Sequence, residues 1–214
     1  MSGGRLVLVR HGETDGNVAR RLDTRPPGSA LTPNGHLQAR DFGRTQIHPP
    51  GMLLHSVALR AGQTAAEIAA VTDVGYRAVD GVFEVQAGDL EDRVDQAAHD
   101  EFTRIYRGWH AGALDVPMPG GESGREVLDR YLPVVAGLRR DYLDDPDFGA
   151  DLLVVSHGAA IRLVAATLAG VDGDFAARNQ LANTETVVLE PTTAGGWRCI
   201  RWAGSPLVSV DPVG

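Results

Sequence analysis

The chain contains no lysine: all 20 of its basic residues are arginine. That absence excludes Schiff-base chemistry and lysine phosphate clamps, so any anion site must use guanidinium forks, imidazoles and backbone amides. Cysteine is nearly as scarce. The single Cys199 cannot form an internal disulfide, and with no local feature to lower a thiol pKa it reads as a half-buried strand residue. Aromatic residues make up only 6% of the chain, and no apolar run is long enough to cross a bilayer. Met1 to Gly4 lacks the basic start and apolar core of a secretion signal, so the expected location is the cytoplasm. Basic charge is also in deficit. With 28 acidic residues the net charge is −8, which argues against nucleic acid or an anionic membrane as a partner.

What is present fits one domain over residues 1–214: 43% of the residues are hydrophobic, and no low-complexity linker divides them. Leu6-Val7-Leu8-Val9 reads as a buried strand and runs directly into Arg10-His11-Gly12-Glu13-Thr14-Asp15-Gly16-Asn17. Ligands of open α/β sheets bind beyond the carboxyl ends of strands, so Arg10 and His11 stand where a site is expected, although a solvated polar turn has the same local pattern. Val18 to Pro27 reads as an irregular loop whose Arg20, Arg21 and Arg25 face either an anionic ligand or water. Thr32 as N-cap with Pro33 at the first helical position opens a helix to about Gln46, with His36 on its surface.

A second strand, Met52 to Val57, leads into a helix reaching about Val71, which places Arg60 near a helix N-terminus at a strand end, where an anion is favoured. Tyr76 to Val79 is a candidate third strand. Glu84 follows among apolar neighbours, either as a partly desolvated carboxyl suited to acid catalysis or as an edge residue facing water. Glu91 to Gly112 is read as mostly helical, with Val94, Ala97, Ala98, Phe102, Ile105 and Trp109 as its apolar stripe and His110 as a core or cap residue. A Pro/Gly loop at 117–122 precedes Ser123 and Glu126, a capping-box spacing that starts a helix in which Pro133 predicts a kink. Leu152-Leu153-Val154-Val155 then repeats the opening design, ending in Ser156-His157-Gly158 before a helix to Ala169. Thr186 to Glu190 and Arg198 to Trp202 read as a closing hairpin, and the tail from Ser205 as loosely held.

Arg10-His11-Gly12-Glu13-Thr14, Asn17, Leu59-Arg60-Ala61-Gly62-Gln63-Thr64-Ala65, Glu84 and Ser156-His157-Gly158, in this order, resemble the histidine phosphatase superfamily, in the branch of phosphoglycerate mutases and their phosphatase relatives. The resemblance spans roughly Leu6 to Leu168. It implies an α/β fold of three layers, α/β/α, around a central mostly parallel sheet, with a covering helical and loop region at about 86–125. It further implies that His11 is the nucleophile that becomes phosphorylated, that Arg10, Arg60 and His157 bind phosphoryl oxygens with Asn17 assisting, and that Glu84 is the proton donor. These roles agree with elementary chemistry. Nearby arginines penalise an imidazolium and so keep His11 nucleophilic, while fixed cations meet the charge on the transferring phosphoryl group, with no cofactor and no metal.

Mutases of this family resemble one another in having an Arg and a Tyr shortly after the acidic residue, to hold the substrate carboxylate. Val85 and Ala87 stand at those places here, and no lysine is available for the joining loop, so hydrolysis of a small phosphorylated substrate ranks above phosphoglycerate mutation. Asp92 stands near a position where many relatives have Gly. Two other readings are a phosphate-ligand sensor and a metal-dependent hydrolase. The retained His11, His157, Arg10, Arg60 and Glu84 oppose the first, and the lack of His-x-x-x-His or paired-carboxylate spacing opposes the second. The specificity readers are expected among Arg20, Arg21 and Arg25, the Gly121-Glu122-Ser123 turn and the segment from Gln86 to Trp109. A homodimer is compatible with the sequence, although no exposed apolar edge marks its interface.

Overall fold

The two strongest apolar runs lie side by side at the centre of one sheet. In the computed structural model, which describes residues 4–46 and 50–207, the strands are β1 (Leu6–Arg10), β2 (Met52–His55), β3 (Tyr76–Ala78), β4 (Leu152–Ser156), β5 (Thr186–Pro191), β6 (Trp197–Trp202) and β7 (Ser205–Pro206). Their order across the sheet is β3-β2-β4-β1-β5-β6-β7, parallel from β3 to β1 and antiparallel from β5 onward. β1 and β4 are covered on both faces, which is why each is continuously hydrophobic rather than alternating.

Helices α2 (Pro33–Arg44) and α3 (Leu59–Thr72) occupy one side of the sheet, where Ala61, Ala65 and Ile68 pack on Val7, Val9, Leu53, Leu153 and Val155. On the other face α4 (Gln96–His110), α5 (Gly124–Leu138) and α6 (Gly158–Ala169) cover Leu6, Leu8, Leu54, Leu152 and Val154. This is the three-layer α/β/α arrangement. Two short helices, α1 (Asp15–Val18) and α7 (Gly173–Arg178), flank the carboxyl ends of the central strands.

The capping signals act as expected. Thr32 accepts the Gly35 N–H at 3.0 Å with Pro33 at the first position of α2, and Ser123 and Glu126 form a reciprocal capping box on α5. α5 runs on through Pro133 to Leu138 and ends in a π-turn over Arg139–Leu143. Some element boundaries differ from the sequence reading. α1 forms within the polar stretch that follows β1 and ends at Val18, because Thr14 caps it and Asn17 returns a bond to the Thr14 N–H. α4 starts at Gln96 rather than Glu91, with Asp95 as its cap, so Val94 lies outside the helix and is 57% exposed, and Ala97 is exposed as well. Asp92 takes φ 62°, in the left-handed region that glycine tolerates best, and its N–H bonds the Leu22 carbonyl at 2.8 Å. Cys199 is buried in β6, and burial pushes its thiol up to about 11. Ser205 and Pro206 pair with β6, while the rest of the expected tail, residues 208–214, lies outside the described residues, as do Met1 to Gly3.

Candidate active site

Parallel register sets the site. Arg10 pairs with Ser156, so the next residues of the two strands, His11 and His157, leave the sheet side by side with ring centroids 5.2 Å apart. β2, on the far side of β4, ends one residue before Ser56, which contributes a third side chain at the same edge. The close fit behind His11 requires a glycine: a Cβ on Gly12 would lie 2.5 Å from the Gly35 carbonyl oxygen.

His11 is buried, and the carbonyl of Gly12 lies 2.7 Å from its Nδ1. A carbonyl only accepts, so this contact assigns the ring proton to Nδ1 and leaves a lone pair on Nε2. Arg60 Nε donates to that lone pair at 3.1 Å. Burial, with the positive charges of Arg60 and Arg10, holds the imidazole well below the usual range, so it is neutral. His157 is also buried, with the opposite polarity. Its Nε2 lies 2.8 Å from Ser56 Oγ, while Nδ1 is buried without a hydrogen-bond partner. Ser56 Oγ also accepts the Ala58 N–H at 3.3 Å and keeps its own proton to donate; with that proton on His157 Nε2, the ring proton sits on Nδ1. Burial, Arg60 and His11 push this imidazole down as well.

Arg60 comes from the first turn of α3 and is 2% exposed. Its Nη1 has no hydrogen-bond partner, the nearest carboxylate oxygen being Asp23 Oδ1 at 3.9 Å. Arg10, anchored through Nη1 on the Leu181 carbonyl, lies against Gly158. Burial lowers both guanidinium groups from their ordinary value, although an arginine remains charged at any physiological pH. Glu84 is held by the start of α6: Oε1 accepts the N–H of Ala160 (2.9 Å) and of Val85 (2.9 Å), and Oε2 accepts that of Ala159 at 3.2 Å. Asn17 Oδ1 accepts from Thr14 N and from Asn183 Nδ2, whose amide also donates to the His11 carbonyl at 3.0 Å.

Arg10, His11, Asn17, Arg60 and Glu84 all line one cleft of about 270 Å³, with His157 packed behind His11. The expected specificity readers divide. Arg21 lines the cleft, whereas Arg20 and Arg25 do not: the Arg20 carbonyl accepts from His99, and Arg25 reaches the Gly88 carbonyl at 3.2 Å. The Gly121-Glu122-Ser123 turn is likewise outside, because Glu122 pairs with Arg130 and Ser123 caps α5. From the segment between Gln86 and Trp109, one side of α4 supplies His99, Phe102, Thr103 and Tyr106.

Sequence reasoning missed Ser56, Asn183, Asp23 and Arg162. Ser56 carried a signal, since it follows an apolar strand as His11 and His157 do. Arg162 stands out as the single charge in the apolar run of α6. It is 7% exposed, donates to the carbonyls of Gly158, Ala176 and Ala177, and has its guanidinium 4.7 Å from the Tyr106 ring centroid. Asn183 and Asp23 sit in irregular segments with no periodic pattern to mark them.

No helix among the described residues is long and apolar enough to cross a membrane, and no group of three or more His, Cys, Asp or Glu residues among them could hold a metal ion. The chain is 32% identical over 183 residues to the probable phosphoglycerate mutase GpmB of Salmonella paratyphi C, covering 83% of this chain and 80% of that protein. It is 28% identical to the PE-PGRS family protein PE_PGRS11 of Mycobacterium tuberculosis, over 94% of this chain but only 37% of that longer protein. Among solved structures, the mycobacterial glucosyl-3-phosphoglycerate phosphatase in complex with VO3 superposes with a TM-score of 0.79 and 27% identity, over 94% of this chain and all (100%) of that one. The histidine phosphatase superfamily (branch 1) profile matches residues 6–204, and the chain belongs to that superfamily.

Proposed function

We propose that this chain is a phosphomonoesterase that hydrolyses a small phosphorylated metabolite through a phosphohistidine on His11, with Glu84 as proton donor. The observation that carries this reading is the neutral His11 ring, whose Nε2 lone pair points at Arg60 in the cleft while Nδ1 is tied to the Gly12 carbonyl. In the first step Nε2 attacks phosphorus and the ester P–O bond breaks. The leaving oxygen takes the proton of the Glu84 carboxylic acid. Oε2 is the donating oxygen, because it holds only the longer amide contact. In the second step a water loses its proton to the Glu84 carboxylate as its oxygen attacks phosphorus; the N–P bond breaks, and inorganic phosphate and neutral His11 are restored.

Charge on the equatorial oxygens is met by Arg10, by Arg60, whose Nη1 has no other hydrogen-bond partner, by the Nδ1–H of His157 and by the amide of Asn17. These built-in donors supply the positive field, so the reaction proceeds without a metal. Hydrolysis is favoured over mutation because Val85 and Ala87 are fully buried apolar residues and give a substrate carboxylate no partner. The solved relative described as a phosphatase in complex with VO3, a phosphate-like oxyanion, supports the same direction.

The test is release of 4-nitrophenol from 4-nitrophenyl phosphate. Activity is expected to survive a chelator, to be inhibited by vanadate and to vanish in His11→Ala. Chelator-sensitive activity, or full activity in His11→Ala, would contradict the mechanism. Vanadate binding without turnover at any pH would instead favour a phosphate sensor.

A further inference from the structure

The segment that presents Glu84 has no regular backbone pairing. Between β3 and the short helical turn at Gly88–Leu90, residues 79–87 form neither helix nor strand. Backbone carbonyls there need partners from elsewhere. Arg130, on α5, supplies three of them: Nη1 donates to Gly81 (2.8 Å) and Phe83 (2.9 Å), and Nη2 donates to Glu84 (3.0 Å). Its remaining donors go to Glu122, Nε to Oε1 at 2.7 Å and Nη2 to Oε2 at 2.9 Å. A guanidinium has five N–H donors in a fixed fork. All five are engaged here.

The pair is largely out of water, with side-chain exposures of 14% and 17%, and the guanidinium lies 3.7 Å from the Phe83 ring centroid. Glu122 also accepts the Gln86 N–H at 2.9 Å, so one ion pair grips the segment on both sides of Glu84. Neither Arg130 nor Glu122 lines the cleft.

We propose that Arg130 and Glu122 are positioning residues for the proton donor: they fix the backbone of Glu84 so that its carboxyl meets the leaving oxygen. The proposal rests on the reading of Glu84 as that donor. Proton transfer needs a heavy-atom separation of about 2.6–3.2 Å, and displacements of about 1 Å far from the chemistry can cost orders of magnitude in rate. Lysine cannot replace Arg130, since a single ammonium point cannot reach four acceptor residues in this geometry.

The test compares two substrates on each preparation. One is 4-nitrophenyl phosphate, whose phenolate leaves with little help from an acid; the other is the alkyl phosphate that the wild-type protein turns over fastest, whose alkoxide must be protonated. The ratio of their kcat/KM values cancels any misfolded fraction, so a purely structural role leaves it unmoved. Glu84→Gln is expected to shift the ratio against the alkyl ester. Arg130→Met, Arg130→Lys and Glu122→Gln are expected to shift it the same way, by about tenfold or more, as general-acid contributions require. Exposed Arg104→Met, which loses only a pair with Glu101, is the unshifted control. Should Arg130→Met not fold, Glu122→Gln decides, because it keeps the shape and one acceptor oxygen. An unchanged ratio in the Arg130 and Glu122 variants, with a shift in Glu84→Gln, overturns the proposal. An unchanged ratio in Glu84→Gln overturns the proton-donor reading, and this proposal with it.

Discussion

The ends of β1 and β4 are built to one design, strand then His then Gly then helix, yet their rings are tied down through opposite nitrogens. At the end of β1 the Gly12 carbonyl takes Nδ1 of His11, and Nε2 is left with a lone pair. At the end of β4 the Ser56 hydroxyl takes Nε2 of His157, and Nδ1 is buried without a hydrogen-bond partner. In the proposed mechanism, identical side chains 5.2 Å apart thus serve as nucleophile and donor. The neighbours differ in kind: a carbonyl can only accept, whereas the Ser56 hydroxyl, which accepts from Ala58, also has a proton of its own to donate. The His11 ring is therefore oriented from within its own His-Gly motif, and the His157 ring by a residue outside both motifs.

Breaking this asymmetry at His11 has the largest expected effect. His11→Asn removes the nucleophile and should lower kcat by about 10⁴-fold or more, with no phosphoenzyme on acid or alkaline quench. His157→Asn removes one oxyanion donor and should cost about 10²–10³-fold in kcat while a phosphoenzyme still forms in single-turnover experiments. Ser56→Ala leaves both rings in place but frees the His157 tautomer. A loss of about tenfold in kcat, with binding of inorganic phosphate weakened, is expected for one buried hydrogen bond. Were Ser56→Ala as damaging as His157→Asn, the hydroxyl would be doing more than orienting the ring.

The smallest effect is on stability against pH. His11 and His157 lie well below 6.5 in the fold, and burial brings His110 down to about 4. Below the unfolded value near 6.5 the unfolded chain binds protons that the folded chain refuses, so stability is full above that pH and is lost as pH falls toward the folded values. Between about pH 6.5 and pH 5 ordinary carboxylates remain ionised, so the imidazoles dominate this window. The thermal midpoint should fall across it, with a shallower slope in His157→Asn. A midpoint independent of pH there would mean that the rings are not held neutral.

The core of the site was legible because it is carried by short, strongly patterned stretches. Apolar runs at Leu6 and Leu152 end in His-Gly, and Arg60 follows a strand at a helix start; parallel pairing then converts similar positions in sequence into adjacent positions in space. What was illegible depends on contacts that no periodicity encodes. Glu84 stands in an irregular segment held by Arg130 of α5 and by amides of α6, so its local sequence cannot tell an exposed edge residue from a cleft residue. Arg20, Arg21 and Arg25 are near neighbours in sequence, but a turn with Arg20 at φ 53° separates their directions, and only Arg21 reaches the cleft. The Asp95 cap shortened a helix that the pattern alone would have begun at Glu91, because a strong N-cap overrides a weakly apolar preceding turn.

The most direct measurement is the position of the phosphoryl group on the trapped enzyme. Protein quenched in alkali during turnover, digested and analysed by mass spectrometry, with phosphorus–proton NMR of the intact trapped species, identifies both the residue and the ring nitrogen. The expected result is phosphate on His11 at Nε2. Phosphate on Nδ1 of His11, on His157, or on neither histidine during productive turnover would contradict the assignment of opposite roles to the two rings.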